Sequence, residues 1–196
     1  MEIIYGTTNP NKIKEMSLLL KPFNIKLLSL KDINFNNEIE ENGETFLENS
    51  LIKAKSIYSF CKLNNLDYPI LTDDAGISIK ALNGRPGVKT ARYAGDHAPQ
   101  EIVLKKILQE LSGVNDRKAT FTCSLTLIIN EEIIQVEGKN EGVISYDYKT
   151  LGGFTFSPIF IPEGYQEPII NLKNVETHRT KATLKLIEEL KKRKVI

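Results

Sequence analysis

The 196 residues suffice for one domain, or for two lobes sharing a sheet, around an ordinary buried core. Hydrophobic residues at 41% and charged residues at 26% are the balance of a globular protein, and 26 Lys+Arg against 25 Asp+Glu leave a net charge of +1, without the basic excess of a nucleic-acid binder. No apolar run is long enough to span a bilayer, Met1–Tyr5 lacks a signal peptide's features, and Cys61 and Cys123 stand outside any CxxC spacing, so the expectation is a cytoplasmic protein with buried thiols, no membrane and no zinc.

The chain opens with an apolar stretch, Glu2–Tyr5, that reads as a strand. Gly6-Thr7-Thr8-Asn9-Pro10-Asn11-Lys12 follows, with Asn9 as N-cap and Pro10 at the first helical position. Ile13, Met16, Leu19 and Leu20 then recur at helical spacing. A helix start with free N–H groups, two hydroxyls and a lysine can cradle a phosphate, although the spacing is neither that of a P-loop nor GxGxxG. Taken alone, these residues fit a well-capped βα turn better than a phosphate cradle.

Ile25–Leu30 suggests a second strand, and Glu40-Glu41-Asn42-Gly43-Glu44 places carboxylates before the next helix. Thr45 and Glu48 have the spacing of a capping box. The helix from Phe46 to about Leu63 has Phe46, Leu51, Ala54, Ile57, Tyr58 and Cys61 as its apolar set, with Lys53 and Lys55 outside it. Tyr68–Leu71 reads as a short strand arriving at the core, with Asp73-Asp74 at its end and Ile77-Ser78-Ile79 leaving. Adjacent carboxylates there need a divalent metal, a basic side chain or a reacting water, unless they are a solvated turn. Oxygen-only donors without histidine are what Mg²⁺ prefers, and Glu41 joins them if its loop folds over the strand end.

Ala81–Gly87 is turn-rich, Arg92 fits an anion contact or a plain surface charge, and His97 reads as a loop residue. Pro99–Leu111 forms an amphipathic helix with Ile102, Leu104, Ile107 and Leu111 inward. Ala119–Ile129 is the clearest strand, meeting Ile133–Glu137 through a hairpin at Asn130-Glu131-Glu132, and Gly138–Ser145 extends the sheet. Gly152-Gly153-Phe154-Thr155-Phe156-Ser157 either frees a ring to stack on a base or buries ordinary core aromatics beside a bulge. Lys173, His178 and Arg179 put three donors at the start of the C-terminal helix Lys181–Lys191.

Six stretches in this order, TTNPNK, ENGETFLENSLIKAK, TDDAG, NGRPGVKTARYAG, GGFTFSPIF and KNVETHR, resemble the inosine/xanthosine triphosphate pyrophosphatase family over nearly the whole chain. The resemblance implies a single 1–196 α/β domain whose long, bent, mixed central sheet divides two lobes, with the nucleotide in the cleft between them. It implies a homodimer and Mg²⁺-dependent hydrolysis of ITP, dITP and XTP to the monophosphate and pyrophosphate. Thr7, Thr8, Asn9, Pro10, Asn11 and Lys12 match the family's triphosphate loop, and Lys53 its phosphate-facing lysine. Asp74 matches the general base and, with Glu41, the metal site; Asp73 is a contributing neighbour. Ala75 and the loop Phe154, Thr155, Phe156 and Ser157 match substrate contacts, Phe154 as the ring stacked on the purine. Lys173, His178 and Arg179 match the base-reading group.

The chain departs from the family pattern where Ser157 replaces an acid, Thr155 a glycine, Ala75 a common serine, and Thr177 a serine. Ser157 removes a strong acceptor from the base pocket, so base preference is more exposed to change than hydrolysis. The other readings are a pyrophosphatase with shifted base preference, a catalytically weak nucleotide sensor, and a nucleic-acid-binding module, which the net charge of +1 disfavours.

Overall fold

The computed structural model describes residues 1–96 and 98–196; His97 lies outside the described residues. One six-stranded sheet has the order β2-β1-β3-β4-β5-β6, with β1 Glu2–Tyr5, β2 Lys26–Leu28, β3 Ile70–Ile79, β4 Lys118–Ile129, β5 Glu132–Ile144 and β6 Phe160–Pro162. β1 pairs parallel with β2 and β3, whereas β5 and β6 pair antiparallel, so the sheet is mixed. Among the described residues there are four α-helices, α1 Pro10–Leu20, α2 Phe46–Leu63, α3 Gln100–Glu110 and α4 His178–Lys192, besides short 3-10 turns. No helix is long and apolar enough to cross a membrane among the described residues.

The chain divides into two compact units. The first comprises Met1–Asp74, Cys123–Gly138 and Arg179–Ile196; one of its core clusters packs Ile57, Ala54 and Cys61 of α2 against Ile4, Ile70 and Ile128. The second comprises Ala75–Thr122 and Lys139–His178, with a core of Ile77, Ile79, Leu104, Ile107, Phe121, Phe156 and Phe160.

Local chemistry sets several element ends where the sequence places them. Asn9 caps α1 through its side chain and Pro10 opens the helix. Thr45 and Glu48 make both hydrogen bonds of the capping box on α2. Asn130 and Glu131 both take positive φ, 49° and 64°, as a tight two-residue hairpin requires.

Other expectations give way to packing. The Asp pair does not end a short strand: β3 runs unbroken for ten residues, and the pair lies inside it. On α3, Val103 is buried with Leu104 and Ile107, while Ile102 stands 49% exposed. The expected apolar face of α2 also holds buried Asn49, Ser50 and Lys53, whereas Phe46, Leu51 and Tyr58 are only partly buried.

Candidate active site

Because successive strand residues point to opposite faces, Asp73 and Asp74 are separated by the sheet and meet different partners. Asp74 shares the α2 face with Thr72, whose hydroxyl donates to the Ser50 carbonyl at 2.6 Å. Asn49 Nδ2 donates to Asp74 Oδ2 at 3.1 Å, and Lys53 Nζ lies 3.7 Å from Asp74 Oδ1. The same amine donates to Glu41 Oε2 at 3.1 Å, which brings the acidic loop to β3. That loop is tied to α2 where the Gly43 N–H donates to Asn49 Oδ1 at 2.8 Å. A Cβ at Gly43 would stand 2.7 Å from Glu48 Cβ, so the close approach requires glycine.

Burial raises the Asp74 carboxyl above its usual range, and nearby Glu41 adds to this against the opposing pull of Lys53 and Asn49. For Lys53, burial disfavours the charged amine, but Asp74, Asp73 and Glu41 outweigh it and leave its pKa raised. A carboxylate that takes up a proton readily beside a fixed ammonium is the pairing a hydrolytic base needs. Glu41 and Asp74 at −1 each and Lys53 at +1 sum to −1 over these three groups.

On the opposite face Asp73 is fully buried. Its Oδ2 receives Lys12 Nζ at 2.8 Å and an Arg179 guanidinium nitrogen at 3.3 Å, and Oδ1 accepts the Tyr5 hydroxyl at 2.9 Å. Arg179 uses its other terminal nitrogen on Glu15 Oε2 at 2.6 Å. Burial pushes the Asp73 pKa up, but Lys12, Arg179 and Lys53 hold it well below the carboxylate range. The two adjacent acids therefore shift in opposite directions: Asp73 touches two cations at 2.8 and 3.3 Å that outweigh its burial, whereas burial prevails at Asp74, whose one paired cation stands 3.7 Å away.

In the Thr7–Lys12 loop, Asn9 Oδ1 accepts the N–H groups of Asn11 and Lys12 at 3.0 and 3.4 Å. Those groups are thus engaged rather than free, and Thr7 Oγ1 accepts the Asn9 N–H at 3.2 Å. Thr8, Asn9, Pro10 and Asn11 are exposed, so the loop itself is open to solvent.

The remaining predicted residues belong to the second unit, except Arg179. Ala75 and Phe154 are partly buried, and Lys173 is exposed. Ser157 Oγ accepts the Phe154 N–H at 3.0 Å while the Ser157 N–H donates to the Phe154 carbonyl at 2.9 Å, closing the aromatic loop into a tight turn that includes Thr155. Phe156 lies in the core, edge-on to Phe121 with centroids 6.4 Å apart. The His178 ring stacks on Phe121 at 4.8 Å.

Three contributors escape sequence reading: Asn49, Tyr5 and Gln100. Asn49 precedes Ile57 by eight residues and the expected Lys53 by four, one helical stripe, which is the signal that could have placed it on the buried face. Tyr5 and Gln100 carry no such signal. Gln100 Nε2 donates to the carbonyls of Gly152, Phe154 and Thr155 at 2.8 to 3.1 Å, and its Oε1 accepts the Gly152 N–H at 2.7 Å.

The Ham1 family's sequence model matches residues 3–189. A dITP/XTP pyrophosphatase of Clostridium tetani is 37% identical over 194 residues, covering 96% of each chain. One of Bacillus subtilis is 39% identical over 192 residues, covering 94% of each. Among solved structures, a HAM1 protein of Coxiella burnetii superposes with a TM-score of 0.86 at 34% identity, over 98% of this chain and 99% of its own. The Staphylococcus aureus Ham1 protein gives 0.86 at 26% identity, over 98% and 100%. A match to sequence and to fold over essentially the whole length places this chain in the Ham1 family.

Proposed function

We propose that this protein hydrolyses nonstandard purine nucleoside triphosphates, dITP, ITP and XTP, between the α and β phosphates, releasing the monophosphate and pyrophosphate. The observation that carries the reading is Asp74 between Lys53 and Asn49, a buried carboxylate with raised proton affinity beside a fixed cation. The names of relatives spanning nearly the full chain support the substrate class. Asp74 takes the proton of the attacking water, a role worth about 10²–10⁴ in rate. Lys53 and Lys12 stabilise charge on the departing pyrophosphate.

Glu41 and Asp74 suit Mg²⁺, a hard cation that takes one or two carboxylates and completes its shell with substrate oxygens and water. When bound, Mg²⁺ supplies charge neutralisation on the phosphates. Phe154 stacks on the purine, and Lys173 and His178 donate to the oxygen at C6. A buried donor such as His178 is left unpaired against the amino group of adenine, a mismatch worth about 10⁴-fold in discrimination, to which the exposed Lys173 adds less. A homodimer in the cytoplasm completes the reading; free, buried Cys61 and Cys123 suit a reducing compartment.

A second reading has its own observation. Ser157 spends its hydroxyl on the Phe154 N–H and offers no carboxylate to a base N–H, which favours a wider base preference than an acid there would allow. Pyrophosphate release from dITP, ITP, XTP, GTP and ATP with Mg²⁺, with Asp74→Asn alongside, tests both. Preference for the first three, lost in the variant, supports the proposal, and equal turnover of all five supports the second reading. No turnover with nucleotide still bound leaves only a nucleotide sensor.

A further inference from the structure

Lys12 is the one phosphate-loop cation, and its amine is held by a carboxylate that two other groups already satisfy. Asp73 takes the Tyr5 hydroxyl on Oδ1 and shares Oδ2 between Lys12 and Arg179. Arg179 in turn bridges to Glu15, which stands three residues after Lys12 on α1 and so on the same side of that helix. Lys12 and Arg179 at +1 each against Asp73 and Glu15 at −1 each give a cluster of zero net charge.

From this we infer that Arg179 is a positioning residue for Lys12, acting through Asp73, and that Glu15 aims it. The inference rests on the pyrophosphatase reading for its substrate but on the cluster's geometry for its logic. A buried carboxylate stripped of its only cation is strongly unfavourable. Were Lys12 the sole partner of Asp73, a phosphate would have to take the amine away at that cost. With the guanidinium on the same oxygen, Asp73 stays balanced while the Lys12 amine turns toward the phosphates. The fork of an arginine can hold Glu15 and Asp73 together, which the single nitrogen of a lysine does poorly. The resemblance gives Arg179 to base reading; here its side chain is 2% exposed and its guanidinium holds Glu15 and Asp73, two acids of the first unit.

The two assignments separate cleanly. Arg179→Lys is made in the wild-type and Lys12→Ala backgrounds, and each protein is measured for inorganic tripolyphosphate binding and for kcat/KM on dITP and dATP. A positioning role weakens tripolyphosphate binding and dITP turnover by about tenfold, leaves the dITP/dATP ratio unchanged, and has little further effect once Lys12 is gone. A changed ratio with intact tripolyphosphate binding overturns the inference in favour of base reading. Equal losses in both backgrounds overturn it in favour of a purely structural role. If Arg179→Lys does not fold, Glu15→Gln at a more exposed position carries the same comparison. Wild-type protein that binds tripolyphosphate through Lys12 but releases no pyrophosphate from dITP refutes the pyrophosphatase reading alone.

Discussion

Asn49 makes the sharpest claim about how this site is held, because one side chain joins three parts of it. Its amide nitrogen reaches Asp74 at 3.1 Å, its oxygen accepts the Gly43 N–H at 2.8 Å, and the residue is 1% exposed on α2. In Asn49→Ala, a bond to a charged group worth ~1.5–3 kcal/mol and a neutral backbone bond worth ~1 kcal/mol are both lost. The expected destabilisation is therefore ~2.5–4 kcal/mol, and at about 2–4 °C per kcal/mol for a chain of this size the Tm falls by roughly 5–15 °C. The same change removes a donor that favours the ionised form of Asp74, so its already raised pKa rises further. Activity that requires the carboxylate then disappears at a higher pH as the solution is acidified. Scanning calorimetry reads the first effect, and the acid limb of kcat/KM for dITP between pH 5 and 8 reads the second. An acid limb that stays in place while the Tm drops would refute the link between Asn49 and the base, leaving only a packing role.

Two further outcomes follow from the same structure. Burial pushes the Cys123 thiol from 9.0 up to about 12, helped by Asp73, so the folded state keeps this proton more tightly than the unfolded chain. Its stabilising contribution is intact below pH 9, is lost progressively as pH rises toward 12, and should vanish from the Tm–pH curve of Cys123→Ala; an unchanged alkaline slope in that variant contradicts this. Gly6 is pressed between α2 and β3, where an added Cβ would stand 2.5 Å from Ile57 Cδ1 and 2.7 Å from Thr72 Cγ2. Gly6→Ala should destabilise by ~1–3 kcal/mol through overpacking and weaken tripolyphosphate binding at the adjoining loop, and a stable variant with normal binding would show that the loop tolerates the shift.

Much of the chain is legible without coordinates wherever the determining contacts are local. The Asn9 cap, Pro10, the Thr45–Glu48 box and the Asn130–Glu131 turn each depend on a few consecutive residues, and each element begins or turns where they put it. The run of family-like stretches likewise reads directly, and the Ham1 match over residues 3–189 agrees with it. Lys53 illustrates the boundary. A helical wheel that scores hydrophobicity sets it with the solvated lysines, yet Glu41 and Asp74 compensate its burial from distant parts of the chain.

The order of residues thus determined the capped helices, the hairpin, the mixed α/β pattern and the family to which they belong. Tertiary structure alone decided that Asp73 and Asp74, neighbours in sequence, are not neighbours in chemistry. A strand turns alternate side chains to opposite faces, and the helices packed on each face supply different charges. Lys12 and Arg179 depress one carboxyl, while burial beside Asn49 and Lys53 raises the other. Which face meets which helix depends on contacts such as that between Asp73 and Arg179, 106 positions apart, and local sequence patterns do not encode those pairings.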